Sequence, residues 1–202
     1  MTDTGGFPIP ADDGGARHLT RRKRLPDLDL VTTRGDTLSL GRHPGWLVLY
    51  CYTWTGRPGV TNPPGWDDIP GAHGSTPESI GFCNLHSSFR GLGAEVVGVS
   101  TQDTAWQQEF ATRLALPFPL ASDAALALTR ALDLPTFETG GATYLKRLTM
   151  VLRDGRIERV FYPVHPPETH PREVLAWLSA HLSYAVEARP AAAAKDGGKH
   201  RA

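Results

Sequence analysis

The run Trp46-Leu-Val-Leu-Tyr-Cys-Tyr52 constrains this chain more than any other feature: seven apolar or aromatic residues in a row, introduced by His43-Pro44-Gly45. It is too short to span a membrane and too uninterrupted for a strand with one wet face. Such a run reads as a central strand covered on both sides, so layers must lie above and below a sheet. The 202 residues supply one domain of this kind and are too few to expect two.

The flanking sequence alternates between short β-like runs and helical stretches, the pattern of an α/β domain. Leu28–Val31 and Thr37–Leu40 flank Arg34-Gly35-Asp36 and predict an N-terminal hairpin. Residues 60–74 are crowded with Pro, Gly and Asp and predict a long loop, the kind of segment that often carries function. Thr76-Pro77-Glu78 offers an N-cap hydroxyl, a proline at the first helical position and an acid in the first turn, predicting a helix from Pro77 to Gly91. A strand at Glu95–Ser100, a helix at Thr104–Leu114, a short strand at Phe118–Ala121 and a helix capped by Asp123 and ending near Leu132 follow. Tyr144–Leu152 and Ile157–Tyr162 are joined around Asp154-Gly155, a strong hairpin signal, and an amphipathic helix over Pro171–Tyr184 closes the pattern.

Both ends lack periodicity. Residues 1–24 are expected as a flexible tail, 25–186 as the domain, and 187–202 as a second flexible tail. The 21 Lys+Arg cancel the 21 Asp+Glu, which argues against nucleic acid as a partner, and the run Arg21-Arg22-Lys23-Arg24 is read as solvated. No stretch approaches the ~18 apolar residues of a membrane span, and Met1–Asp13 has no signal-peptide hydrophobic region, so a cytoplasmic location is expected. Two cysteines, Cys51 and Cys83, exclude a disulfide scaffold and a four-cysteine zinc site while leaving redox chemistry open.

Four segments in order carry a family resemblance. Ile69-Pro-Gly-Ala-His-Gly-Ser-Thr-Pro-Glu-Ser79 resembles the active-site loop of the redoxin branch of the peroxiredoxins, where a Gly-Cys-Thr-Pro segment opens the long helix. Ser100-Thr-Gln-Asp-Thr104 looks like that family's second strand and helix start. Leu116-Pro-Phe-Pro-Leu-Ala-Ser-Asp123 is similar to its run ending in Ser-Asp, and Lys146-Arg-Leu-Thr149 to its Arg-x-Thr strand. The resemblance spans about Leu25 to Leu182. It implies a thioredoxin-like α/β fold: a central mixed β-sheet flanked by helices, with an N-terminal β-hairpin.

The resemblance also implies a site. A peroxiredoxin needs a cysteine at a helix N-terminus, where the macrodipole and free N–H groups lower the thiol pKa, and a guanidinium that stabilises thiolate and peroxide oxygens. The thiolate becomes a sulfenic acid that a second thiol resolves. Here Ser75 occupies the peroxidatic place, Arg147 the guanidinium place, and Thr53, Thr76 and Pro77 are the residues expected to shape the pocket. Thr53 follows Tyr52 where the family commonly has proline, and Ile80 stands where many members carry the resolving cysteine. Two readings follow. One is a relative of the thiol-dependent peroxidases that reduce hydrogen peroxide and organic hydroperoxides, with a thioredoxin-type reductant as partner. The other is a non-catalytic binding or regulatory module that takes a peroxide or small anionic ligand in the same pocket. Neither requires a cofactor or metal, and monomer and homodimer both stay open.

Other constellations are weaker. Cys83 lies eight residues beyond Ser75, about two helical turns away from the activating terminus, and reads as a buried thiol; Cys51, inside the central strand, reads as core. A Cys51–Cys83 disulfide is conceivable if strand and helix pack together. His73-Gly74-Ser75 suggests a serine hydrolase, but Pro77 stands where a nucleophile elbow has its second glycine. The eight histidines form no paired helical zinc motif. Trp54, Trp66 and Trp106 flank the long loop and are candidates to line a pocket.

Overall fold

The computed structural model describes residues 6–187. β1 (Asp29–Val31) and β2 (Thr37–Ser39) form the expected N-terminal hairpin, and β3 (Trp46–Cys51) follows. All six residues of β3 are buried. Then come α1 (Ser75–Gly91), β4 (Ala94–Ser100), α2 (Thr104–Arg113), β5 (Leu120–Ser122) and α3 (Ala127–Leu132). The chain continues through β6 (Thr136–Thr139), β7 (Ala142–Leu145), β8 (Leu148–Arg153), β9 (Arg156–Phe161) and α4 (His170–Glu187). The main sheet is ordered β5-β4-β3-β8-β9, with β3 parallel to β4 and antiparallel to β8.

The pleat of β3 sorts its side chains between two cores. Leu47, Leu49 and Cys51 join Val97, Val99, Met150 and Leu152 on one face, covered by Leu128 and Leu132 of α3 and by Leu25 and Leu30 from the N-terminal segment. Trp46, Val48, Tyr50 and Tyr52 join the other face, covered by Phe82 and Phe89 of α1, Phe110 of α2, and Val174 and Leu178 of α4. Gly98 makes the second face possible: a Cβ there would stand 2.6 Å from the Tyr50 hydroxyl. Asp154 and Gly155 both have positive φ, as the tight β8–β9 turn requires.

Several expectations are corrected. The strand expected from Tyr144 is two strands: β7 pairs with β6 around Gly140-Gly141, a separate hairpin. The helix expected from Pro77 begins at Ser75, because Gly74 takes a left-handed conformation and becomes its N-cap; Thr76 lies inside the first turn. The strand expected from Phe118 begins at Leu120. Within the expected N-terminal tail, Ala16 and Leu19 are buried in the first core. The basic run lies along β9: the Arg22 amide donates to Ile157 O at 2.6 Å and the Ile157 amide to Lys23 O at 3.0 Å. The expected C-terminal tail, apart from Glu187, lies outside the described residues. The two cysteines are free, and they belong to opposite faces of the sheet, so the conceivable Cys51–Cys83 bridge does not form.

Candidate functional site

Where β3 ends the chain leaves the sheet through Thr53, crosses residues 60–74, whose only regular piece is a 3-10 turn at Trp66–Asp68, and re-enters at α1. Gly74 is required at the re-entry: its φ is 111°, and a side chain there would run into the Pro167 ring. Ser75 thus sits at the helix start, beneath the loop, only 2% exposed.

Three of the residues singled out in the sequence come together. The Ser75 Oγ lies 3.0 Å from Thr53 Oγ1 and accepts from Arg147 Nη2 at 3.4 Å. The Thr53 hydroxyl donates to the Ala72 carbonyl at 2.6 Å. A hydroxyl has one proton, so in the Ser75–Thr53 contact Ser75 is the donor. Arg147 Nη2 also donates to the His73 carbonyl at 3.0 Å and approaches Thr53 Oγ1 at 3.5 Å. Thr76 and Pro77 line the cleft in front of Ser75, outside this hydrogen-bonded cluster. Ile80 lies further along α1, 41% exposed.

Sequence reasoning missed the counter-ion. Arg147 Nη1 is paired with Glu78 Oε2, and both side chains are buried. Glu78 follows Ser75 by three positions, so both lie on one face of α1, the only sequence signal that could have exposed it. Its second oxygen, Oε1, has no hydrogen-bond partner. Burial outweighs the attraction of Arg147 and pushes the Glu78 carboxyl up to about 7. Behind the ion pair, His170 hydrogen bonds Thr149 Oγ1 at 2.9 Å and Glu173 at 3.2 Å, and burial holds its pKa below the ordinary range.

The other candidates fall elsewhere. The His73 ring bonds Asp67 at 2.8 Å and stacks on Phe7 with centroids 3.5 Å apart, whereas the bonds of Ser75 run to Thr53 and Arg147. A Ser–His catalytic pair is therefore not what the motif forms. Cys51 is fully buried, and loss of solvent pushes its thiol pKa strongly upward. Cys83 is half-buried at the margin of the second core. Trp54 and Trp66 line the cleft, their rings 5.5 Å apart. Trp106 lines a separate, smaller pocket with Trp54, Gln102 and Tyr144; it packs beside Trp54, donates its indole N–H to Thr55 O at 2.6 Å and carries the Arg57 guanidinium over its ring. Among the described residues, no group of three or more His, Cys, Asp or Glu is placed to hold a metal ion, and no helix is long and apolar enough to cross a membrane.

A five-stranded mixed sheet between helices, with a polar cluster where the long helix begins, defines a thioredoxin-fold protein of the peroxiredoxin kind. A family model described as Redoxin matches residues 23–176, and the chain belongs to that family. It is 32% identical to chloroplastic peroxiredoxin Q of Oryza sativa subsp. japonica over 164 residues, covering 80% of this chain and 68% of that one. It is 29% identical to chloroplastic peroxiredoxin Q of Populus jackii over 157 residues, 77% of this chain and 66% of the relative. The chain thus spans about two thirds of the length of these relatives. Among solved structures it is similar to a Cys-to-Ser mutant of Xylella fastidiosa PrxQ, with TM-score 0.67, 26% identity, and coverage of 82% of this chain and 98% of that one. It is also similar to the bacterioferritin comigratory protein of Xanthomonas campestris, which has alkyl peroxide reduction activity, with TM-score 0.64, 29% identity, and coverage of 80% and 99%.

Proposed function

We propose that this redoxin-family chain binds a peroxide-like or small anionic ligand at the Ser75 pocket without consuming it. Ser75 takes the peroxidatic position, Arg147 and Thr53 the polar wall around it, and Thr76 the mouth. The observation that carries the reading is the address of the Ser75 hydroxyl: first residue of α1, within hydrogen-bond reach of both Thr53 and Arg147. A thiolate there would break the O–O bond of a peroxide, take one oxygen as sulfenic acid and release the other as alcohol or water. A serine oxygen would have to exchange one O–O bond for another, with no comparable gain, and its proton is far harder to remove. The thiols the chain does have are placed without such activation: Cys51 is sealed in the core, and Cys83 lies two turns along the helix. Reduced thiols of this kind fit a reducing compartment, and the reading places the chain in the cytoplasm.

Peroxide consumption with dithiothreitol or a thioredoxin-type reductant tests this, run on the unmodified chain and on Ser75→Cys, with intact mass to detect cysteine oxidation. Turnover is expected only in Ser75→Cys. Turnover in the unmodified chain that disappears in Cys83→Ala would overturn the reading and restore a peroxidase whose nucleophile has moved.

A further inference from the structure

The space in front of Ser75 is much larger than a hydrogen peroxide molecule. The cleft encloses about 610 Å³, within the range of pockets that bury whole organic ligands, whereas one water molecule takes up about 30 Å³ of liquid. Its apolar lining comes from Phe7 and Ile9 of the N-terminal segment, Trp54 and Trp66 of the connection between β3 and α1, and Pro77 and Pro167, with Asn62, His165 and Glu168 among the polar residues. Phe7 and Ile9 are 55% and 67% exposed, the two most exposed large apolar side chains among the described residues, and both face this one cleft. They are held there: Phe7 stacks on His73, and the Gly71 amide donates to Pro8 O at 3.0 Å. Further along, Asp13 pairs with Lys146 and accepts from the Tyr162 hydroxyl at 2.6 Å, and buried Ala16 and Leu19 anchor the segment. Exposed apolar side chains gathered at one cavity, over a polar floor, are the signature of a ligand with an apolar body and a polar head.

The floor indicates which head. No Lys or Arg lines the cleft: buried Arg147 touches Ser75 from outside it and is paired with Glu78, whose charge matches it wherever Glu78 is ionised. Beside His73 and His165, the one charged residue of the lining is the acidic Glu168 at the exposed rim, so the cleft holds no free guanidinium or ammonium for an anion. Ser75 Oγ gives its proton to Thr53 and one lone pair to Arg147, leaving a second lone pair that can accept from a ligand hydroxyl.

From this geometry we infer that the cleft binds a neutral, hydroxyl-bearing organic molecule with a body of about six or more carbons, its O–H on Ser75 and its body against Phe7, Ile9, Trp54 and Trp66. The inference rests on the non-consuming reading of the Ser75 pocket and, of the two kinds of ligand named there, keeps the neutral hydroxyl-bearing kind and drops the anion.

Isothermal titration with the 1-alkanols from ethanol to 1-octanol tests it, at pH 8, where Glu78 is ionised, with the matching carboxylates as the second series. Affinity is expected to rise about fourfold per methylene, the value of burying one CH₂. Each carboxylate is expected to bind at least about tenfold more weakly than the alcohol of equal length. In Phe7→Ala/Ile9→Ala, two exposed positions whose truncation opens no core, the chain-length dependence should flatten and octanol lose about tenfold or more. A flat series in the unmodified chain, an unchanged series in the double variant, or tighter carboxylates would each overturn the inference. If carboxylates or peroxide bind while alkanols do not, the inference fails and the non-consuming pocket stands. Peroxide turnover by the unmodified chain removes the pocket reading itself.

Discussion

Positions 51 and 75 make an instructive pair. Cys51 ends β3 with its side chain in the core formed with α3, among Leu47, Leu49, Val97 and Val99. Ser75 begins α1, which packs on the opposite face of the same strand. One position has the reactive atom and no route to solvent, and burial drives its pKa away from the thiolate. The other has the cleft, the helix start and the guanidinium, and carries a hydroxyl. Chemistry on this fold is therefore set by address before element: the family's reaction needs sulfur at 75, and sulfur at 51 is packing material.

Labelling kinetics break the comparison most directly. In the native chain a thiol reagent should modify Cys83 readily and Cys51 only through unfolding, about 10³-fold or more slower than in the urea-unfolded chain. Intact mass against time reads this, and equal rates at both cysteines would show that the first face is not sealed. The next largest contrast is in stability. At pH 8, where Glu78 is ionised in the parent, Arg147→Met leaves Glu78 buried without its cation, to stay charged or take up a proton at a cost, and should lose about 3 to 5 kcal/mol in urea denaturation, with much of that recovered by adding Glu78→Gln. Cys51→Ala, on the dry face, should cost about 1 kcal/mol. A cost below about 1 kcal/mol for Arg147→Met would mean the ion pair is not buried as described. Gly98→Ala falls between, about 1 to 3 kcal/mol, because the new methyl meets Tyr50, whose hydroxyl is bonded to Ser79 of α1. Its loss should appear on the α1 side, as faster labelling of Cys83 with Cys51 still protected.

The dry face was the easier one to read. An unbroken apolar run, β-rich neighbours and an Asp-Gly turn fix most of the main sheet by period and propensity alone. The β6–β7 hairpin escaped because Phe137 and Tyr144 are the only large apolar residues its runs contribute to the aromatic cluster, too few to set a period. The N-terminal segment escaped for a related reason: Ala16 and Leu19 are two isolated anchors in a Pro- and Gly-rich stretch, and composition averages them away. Ser75, Thr53 and Arg147 are up to 94 residues apart in sequence, and only family resemblance, not spacing, links them before the fold is known. Glu78 reads as a first-turn acid three residues beyond Ser75, and that spacing puts it on the Ser75 face of the helix, but full burial of a glutamate is rare enough that the spacing alone does not mark it as a counter-ion.

The smallest expected effect separates two titrating groups on the cleft side. Glu78 holds its proton in the folded chain up to about pH 7 but loses it near its ordinary 4.5 when unfolded. Between those values the folded chain binds more protons, so this group makes stability fall as pH rises. His170 acts oppositely. Burial lowers its pKa below the ordinary 6.5, against the pull of Glu173, so below that pH the unfolded chain binds more protons and stability rises with pH. The two slopes partly cancel between pH 5 and 6.5 in the unmodified chain. Glu78→Gln removes one of them, and the unfolding free energy from urea denaturation across pH 5 to 7.5 should then rise by up to about 1 kcal/mol per pH unit until the histidine is neutral. A variant whose profile runs parallel to the parent would show that Glu78 carries no shifted proton. Cys51, held far above this window, contributes no slope, so any change seen reports the face with the cleft.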